Sequence, residues 1–495
     1  MTEFELKLEI PPERLQAVLT AMRQEKVRSQ RLQARYFDTR DQALARHGIV
    51  LRLRKEGRVW VQTAKVAGSA ALERLEHNAP LGPSSGSATP AVSLARHAGT
   101  PVGEKIRQAL DLESLDRPMQ LVPWFETDVL RLTRRIDIAG SVVEVALDRG
   151  KIHAGNDWAA LCEVEFELIE GERVAAVQLA REWGAAHGLW LSVISKSAKG
   201  RRLAAGQASG PPVGAAPVNL SRSASGTEIA AAVVQACLEQ VLGNASEAGA
   251  GTAGAEHVHQ LRVGIRRLRT ALREMRGLAT ETDPAWEAAL VDTFRALGRH
   301  RDHYQLASMQ PQLEAQGAPA LDVELPDDPA PDPAAVVRSP AFQDTLLGLL
   351  VFAHSAADGR GGSVHHGKAL KLLKSRLDKL HDQVGKDGRR FLRLEPTRQH
   401  RVRKRLKRLR YLAEFVARFF SARKGRAFIT ALKPAQDALG LYNDELTALE
   451  AYRRLAAREP AAWFGVGWLS ARRAPLAAQC QRELERFAMV KPFWN

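Results

Sequence analysis

Long apolar runs are missing from this 495-residue chain: no window holds eighteen or more consecutive apolar residues, so no segment reads as a membrane span. Cysteine is scarce: Cys162, Cys237 and Cys480 are widely spaced and odd in number, which fits neither a disulfide framework nor a C-x-x-C metal site. A reducing cytoplasm is the expected compartment. The opening run MTEFELKLEI alternates charged and apolar residues instead of placing a basic stretch before a greasy one, so no secretion leader is expected. Aromatics make up only 6% of the chain. What is present in quantity is apolar residues (45%) and charge (26%), more than one core organises, so at least two domains are expected. Lys and Arg outnumber Asp and Glu by 72 to 56, a net charge of +16 that calls for an anionic partner. Residues 1–205 carry 30 basic and 26 acidic side chains, and residues 206–495 carry 42 and 30, so the excess lies mainly in the second part.

Residues 206–226 are Gly, Pro, Ser and Ala without periodicity, the composition of a solvated linker. Before it, period-two alternation at 3–10, 50–54, 59–65, 126–137, 142–148 and 163–169 predicts strands, with helices near 11–25 and 172–187. After it, helical periodicity covers 226–243, 257–276, 285–299, 398–420 and 426–456. The stretches 243–255 and 323–340 lack apolar payload and read as surface loops. The second part also repeats itself. His259-x-x-Arg262-x-x-x-Arg266-Arg267-x-Arg269 recurs 141 residues later as His400-x-x-Arg403-x-x-x-Lys407-Arg408-x-Arg410. Leu297-Gly298-x-x-Arg301-Asp302 recurs as Leu439-Gly440-x-x-Asn443-Asp444, offset by 142. Near-constant separation predicts a duplicated helical bundle over 227–490, with halves at about 227–322 and 341–490.

Strand faces in the first part are unusually charged. Glu3, Glu5, Lys7 and Glu9 share one face of the first strand; Glu163, Glu165 and Glu167 share another; Glu144 and Asp148, Arg52 and Arg54, and Arg131 and Arg135 do likewise. One reading is a solvated sheet whose faces neutralise each other. The other is a closed barrel whose lumen collects the charges. Unpaired buried charge is costly, so carboxylates there would hold a divalent cation and the Arg and Lys side chains a polyanion. Oxygen ligands favour Mg²⁺ or Mn²⁺.

Several motifs stand in one order through 1–205: Glu3-x-Glu5-x-Lys7, Tyr36-Phe37-Asp38-Thr39, Gly48-x-x-Leu51-Arg52-x-Arg54, Trp60-x-Gln62-Thr63-x-Lys65, Thr127-Asp128-x-x-Arg131, Glu144-x-Ala146-x-Asp148-x-Gly150, the glutamate strand and Ser195-Lys196. Together they resemble the CYTH domain of the triphosphate tunnel metalloenzymes. That resemblance implies an eight-stranded antiparallel tunnel with flanking helices. It implies metal binding by Glu3, Glu5 and the Glu163, Glu165, Glu167 strand, and phosphate binding by Lys7, Arg52, Arg54, Lys65, Arg131 and Lys196. Glu5, Lys7, Arg52, Arg54 and Lys65 would carry catalysis. Lys199-Gly200-Arg201-Arg202 departs from the aromatic that relatives often place there.

In the second part, His259, Arg262, Arg266, Arg269 and Arg273 form one helical stripe, repeated by His400, Arg403, Lys407, Arg410 and Glu414. A salt-bridged helix face is the plain reading. Duplication of like charges at helical neighbours favours a bound anion instead. Tyr411 alone interleaves the stripes, and neither helix-turn-helix nor zinc-finger patterns occur, so a phosphate chain suits them better than nucleic acid. The repeats resemble the CHAD domain, which implies polyphosphate binding at these positions. The combined expectation is an α+β two-domain chain: an inorganic triphosphatase that uses Mg²⁺ or Mn²⁺, joined to a polyphosphate-binding bundle, in the cytoplasm or at polyphosphate granules. The rival expectations are a non-catalytic polyphosphate-granule protein, or a tunnel enzyme acting on thiamine triphosphate or cyclising ATP.

Overall fold

The computed structural model describes the chain apart from residues 1, 25, 69–72, 84–88, 117–118, 219, 280–282, 322–330 and 358–363. The side chains of 2, 3, 73, 83 and 300–308 lie outside the description as well. In chain order the strands are β1 (Thr2–Glu9), β2 (Arg28–Asp38), β3 (Ile49–Glu56), β4 (Val59–Ala67), β5 (Glu73–Pro83), β6 (Val122–Ile138), β7 (Ser141–Ala154), β8 (Asp157–Glu170) and β9 (Trp190–Leu191). The helices among them are α1 (Leu15–Met22), α2 (Ala43–Arg46), α3 (Pro101–Ala109), α4 (Arg173–His187) and α5 (Lys196–Ala204). Beyond them the chain is helical: α6 (Gly226–Gly249), α7 (Ala255–Glu274), α8 (Pro284–Glu314), α9 (Pro333–Val337), α10 (Pro340–Ala357), α11 (His366–Gly388), α12 (Pro396–Phe420), α13 (Ala422–Leu455) and α14 (Trp463–Ala488). None of the described helices is long and apolar enough to cross a membrane.

Residues Met1–Val213, Glu239–Gln260 and Pro333–His354 gather into one compact unit, and Gly214–Leu238, Leu261–Asp332 and Ser355–Asn495 into another. In the first, the sheet order is β5-β4-β3-β2-β6-β7-β8-β1-β9, every pairing is antiparallel, and β1 also pairs with β5. Eight strands therefore close into a ring, and the two-residue β9 continues along β1 where β5 leaves off. The ring is inverted in polarity. Leu6 and Leu8 of β1 and Val164 and Phe166 of β8 are fully buried on its outer side, beneath Ala176, Val177 and Ala180 of α4. Alternation then obliges Glu5, Lys7 and Glu165 to face inward. Helix α5 lies close over Phe125 of β6, where a Cβ on Gly200 would come within 2.1 Å of the ring, so only glycine fits.

Strands β2 and β5 stand where the sequence predicts none. The stretch 243–255, expected as a surface loop, is also corrected: α6 continues to Gly249, and Asn244, Ser246 and Glu247 are buried. Gly, Asn and Ser are poor helix formers, but these side chains are engaged. Asn244 donates to Val213 O (2.8 Å) and accepts from Val213 N (3.1 Å), while Ser246 donates to Leu242 O (2.7 Å). Residues 207–225 carry no helix or strand among those described, yet this bonding holds Val213 fixed.

The duplication is visible in helix placement, since α11, α12 and α13 begin 140, 141 and 138 residues after α6, α7 and α8. In the second unit a reciprocal pair of ion pairs joins the two copies: Arg267 of α7 donates to Glu414 of α12, and Arg408 of α12 donates to Glu274 of α7. Arg267 and Arg408 are equivalent positions of the repeat, as a pseudo-twofold relation requires. Arg267, 4% exposed in its side chain, also packs its guanidinium on Tyr411 and Phe415. Glu414→Ala leaves this buried guanidinium without its counter-ion and is expected to lower unfolding stability by about 3 kcal/mol. Arg267→Met combined with Glu414→Leu should recover most of that loss. Urea unfolding of the full chain measures both.

Candidate functional site

The ring encloses a cavity of about 730 Å³, of the size that accepts a small ligand. Glu5 and Lys7 from β1, Arg52 and Arg54 from β3, Lys65 from β4, Arg131 from β6, Glu165 and Glu167 from β8, and Lys196 from α5 all line it. Glu163 is fully buried behind this lining, and the side chain of Glu3 lies outside the described residues. The structure therefore brings together side chains that the sequence spreads over nearly 200 positions.

Register sorts the carboxylates into levels. At one level Glu5, Glu167 and Glu144 are direct neighbours on β1, β8 and β7. At another, Glu9, Glu163, Asp148 and Arg131 line up across β1, β8, β7 and β6. The second level is densely neutralised. Lys196 lies 2.7 Å from Asp148 and 2.7 Å from Glu163, and it also pairs with Glu165. Arg131 forks onto Asp148 at 2.7 and 2.6 Å and reaches Glu165 at 2.5 Å. Lys199 lies 2.6 Å from Glu9 and 2.9 Å from Glu163, so the departure noted in the sequence supplies one more cation to this network. Lys7 lies 3.4 Å from Glu163 and donates to the carbonyl of Ile194.

Electrostatics follows the same division. Burial alone would raise Glu163, but Lys196, Lys7 and Lys199 hold it well below the usual carboxylate range. Glu165 is held down against burial by Lys196 and Arg131. Burial would lower Lys196, but Asp148, Glu163 and Glu165 keep it well above the ordinary lysine value. Lys7 is lowered by burial, which outweighs Glu163. At the first level the balance reverses: burial and then Glu5 push Glu167 up to about 7, with Glu144 adding to the effect against Lys65. Crowded carboxylates, one of which is pushed toward protonation, are a fit for a hard divalent cation, which would relieve their repulsion. Asp148, Glu163 and Glu165 also bring ligand atoms within 4.8 Å of one another. Lys196 pairs with all three of those carboxylates, whereas Glu5, Glu144 and Glu167 stand in cross-strand register at the other level.

Opposite the glutamates, the β3–β4–β5 wall presents Arg52, Arg54 and Lys65 beside Thr63 and Asn78, which are hydrogen-bonded at 2.6 Å. Lys65 pairs with Glu76 at 2.6 Å. Arg54 bonds Glu56 at 2.6 Å, and the buried Nε of Arg52 has no hydrogen-bond partner. An orphaned buried guanidinium nitrogen is an anion-binding feature. Sequence reasoning gave no role to Glu76 or Asn78, counted Glu144 and Asp148 only collectively among the carboxylates of the charged strand faces, and noted Lys199 only as a departure. For Asp148 and Glu144 the shared strand face was the available signal. Glu76 and Asn78 sit on β5, whose sequence ERLEHNAPLGP breaks alternation and ends in prolines.

The basic stripes of the helical part are partly satisfied internally. Arg262 donates to Phe294 O at 2.7 Å and stacks 4.2 Å over that ring, in a space that Gly298 keeps open. Arg266 lies 5.3 Å from the same ring. Arg269 bonds Glu287 at 2.7 Å, Arg403 lies 3.9 Å from Asp444, and Arg410 bonds Glu414 and Gln436, both at 2.7 Å. His400 is 3.2 Å from Asn443, His259 is exposed on α7, and Lys407 is half-buried on α12.

Comparison with known proteins fits this division. The CYTH domain model matches residues 1–200 and the CHAD domain model residues 232–453. Over 139 residues the chain is 32% identical to an inorganic triphosphatase of Haemophilus influenzae; the match covers 28% of this chain and spans 35% of that relative's length. The crystal structure of the CHAD domain from the plant Ricinus communis is 28% identical, with 55% of this chain and 96% of that chain covered at a TM-score of 0.47. A putative adenylyl cyclase from Hippeastrum, described as having a dominant triphosphatase activity, is 17% identical, with 41% and 96% covered at a TM-score of 0.30.

Glu167 generates a prediction with a definite sign. Its folded pKa of about 7 lies above the ordinary glutamate value of 4.5. Its contribution to stability is therefore fully present below about pH 4.5 and is lost as pH rises through about 7. In EDTA, Glu167→Gln should melt above the parent chain at pH 8, and the gap should shrink toward pH 5. Adding Mg²⁺ at pH 8 should stabilise the parent more than the variant. Calorimetric melting curves at the two pH values read all three effects.

Proposed function

We propose that this protein, which carries a CYTH domain over residues 1–200 and a CHAD domain over residues 232–453, is a divalent-metal-dependent phosphoanhydride hydrolase acting on inorganic triphosphate. The observation that carries the reading is the opposition, inside one closed lumen, of Glu5, Glu144 and Glu167 in cross-strand register to Arg52, Arg54, Lys65 and Arg131. A channel that only held phosphate chains gains nothing from aligned carboxylates, which repel them. The similarity to an inorganic triphosphatase over part of the chain supports the same substrate class.

In this reading the Arg and Lys side chains of β3, β4 and β6 bind the phosphate oxygens and align the chain along the tunnel. Guanidinium groups suit this task because their donors match phosphate oxygens in pairs. Glu5, Glu144 and Glu167 hold the dication, Mg²⁺ or Mn²⁺. That ion, when bound, supplies Lewis acidity at the phosphoryl oxygens and lowers the pKa of a coordinated water. Water attacks the terminal phosphorus, one P–O–P bond breaks, and orthophosphate and pyrophosphate leave. Lys7 and Lys196, held in place by Glu163 and Asp148, present ammonium donors where charge develops on the leaving oxygen. The CHAD domain binds inorganic polyphosphate through the stripes of α7 and α12.

Glu5→Gln is expected to lower kcat about a hundredfold or more while leaving the melting temperature close to that of the parent chain. The test measures orthophosphate release by the full chain from inorganic triphosphate, long-chain polyphosphate, thiamine triphosphate and ATP, each with Mg²⁺ and with EDTA. Mg²⁺-dependent release from inorganic triphosphate is the expected result. A preference for a nucleotide or thiamine substrate would reassign the substrate, and no release from any of them would return the protein to a binding role.

A further inference from the structure

The Ile194 carbonyl, which engages Lys7, belongs to the extended stretch between β9 and α5 that leads directly into Lys196, and that stretch lies at an open sheet edge. On one side β9 pairs with β1, and Ser192 N donates to Lys7 O at 3.0 Å. On the other side no strand follows among the described residues, and the backbone amides there would be buried donors without partners. Two side chains satisfy them. Gln343 of α10 accepts from Leu191 N at 2.8 Å through Oε1 and donates its own amide to Val337 O at 2.7 Å. Ser246 of α6 accepts from Val193 N at 3.0 Å while donating to Leu242 O at 2.7 Å. Both side chains are buried, and each is fixed by its second bond. Both also fall inside the stretch that matches the CHAD domain, although they belong to the compact unit that contains the tunnel.

We propose that Ser246 and Gln343 are positioning residues for the tunnel's chemistry: by holding the amides of Val193 and Leu191 they set the 190–196 segment, and through it the placement of Lys196 in the lumen. The inference rests on the triphosphatase reading for its substrate. Its geometric basis is the chain of hydrogen bonds from two helices to one strand edge and from that edge to the lumen cations. Without those acceptors the segment is free to shift by a fraction of an ångström to an ångström, a displacement that costs up to about a hundredfold in rate when it moves a group in the site.

The test is a double-mutant cycle in the full chain, with Ser246→Ala and Gln343→Ala combined, Lys196→Ala alone, and all three together. Each variant is measured for kcat and KM on inorganic triphosphate with Mg²⁺, for inorganic triphosphate affinity by calorimetry in EDTA, and for melting temperature. In the parent background the Ser246/Gln343 pair should lower kcat by about tenfold or more and weaken binding, and in the Lys196→Ala background it should change neither by more than about twofold. Ser246→Thr with Gln343 retained, which keeps both acceptors, should restore most of the loss. A lower melting temperature with kcat and binding unchanged would overturn the proposal, as would an equal loss in both backgrounds. If the parent chain binds inorganic triphosphate without hydrolysing it, the hydrolase reading fails and the binding cycle alone decides the positioning role. A parent chain that neither binds nor hydrolyses it overturns both.

Discussion

The first unit depends on a compromise between burial and charge. Packing an apolar outer face under α4 forces the alternate residues of β1, β7 and β8 into the lumen, and most of them are ionised. No protein interior tolerates such a set unless each charge has a counterpart. The floor of the lumen meets that condition by itself: Lys196 sits among Asp148, Glu163 and Glu165, with Lys7, Lys199 and Arg131 completing the network. The upper levels do not meet it to the same degree. Glu167 is driven toward neutrality, and Arg52 keeps a buried nitrogen without a partner. Ion pairing is thus densest where the network closes, on the floor of the lumen. This is the division expected of a preorganised site for a polyanion and its cation.

A similar compromise governs the helical part, with a different outcome. Arg267 and Arg408 are adjacent in sequence to Arg266 and Lys407, yet they point into the pairing of α7 with α12. Their reciprocal bonds to Glu414 and Glu274 turn a gene-level duplication into a pseudo-symmetric packing. The remaining basic positions divide between internal partners and the surface. Arg269 and Arg410 each have a glutamate, and Arg262 is buried against Phe294. The two copies are also no longer alike. Gly298 gives Arg262 its space in the first, while no side chain presses on Gly440 in the second.

The faces of β1 and β8 were legible because Glu and Lys alternate there with Leu, Val and Phe without interruption. Arg52, Arg54 and Lys65 were legible for the same reason. The level structure was not. Whether Glu163, Glu165 or Glu167 stands beside Glu5 is a matter of cross-strand register, fixed by the pairing of β1 with β8 and of β8 with β7, and nothing in a single strand encodes it. Strand β5 escaped notice because its place depends on a long-range partner, the first residues of β1, and not on its own pattern. The run from Gly243 to Gly249 misled for the opposite reason. Its residues disfavour helix locally, but Asn244, Ser246 and Glu247 are there to bond other segments, and tertiary bonding overrides propensity.

That last case bears on how the two kinds of chemistry share one chain. Glu247 pairs with Arg202 of α5, Asn244 holds Val213, and Ser246 holds Val193, so three successive helical contacts reach the connection, the edge strand and the helix that begins with Lys196. A sheet edge ordinarily needs another strand or a covering loop to satisfy its amides. Here the covering groups come from α6 and α10, residues that match the helical family and not the tunnel family. The compact unit holding the tunnel is therefore larger than residues 1–200, and the outer edge of its sheet is bonded by side chains that lie beyond that limit in sequence.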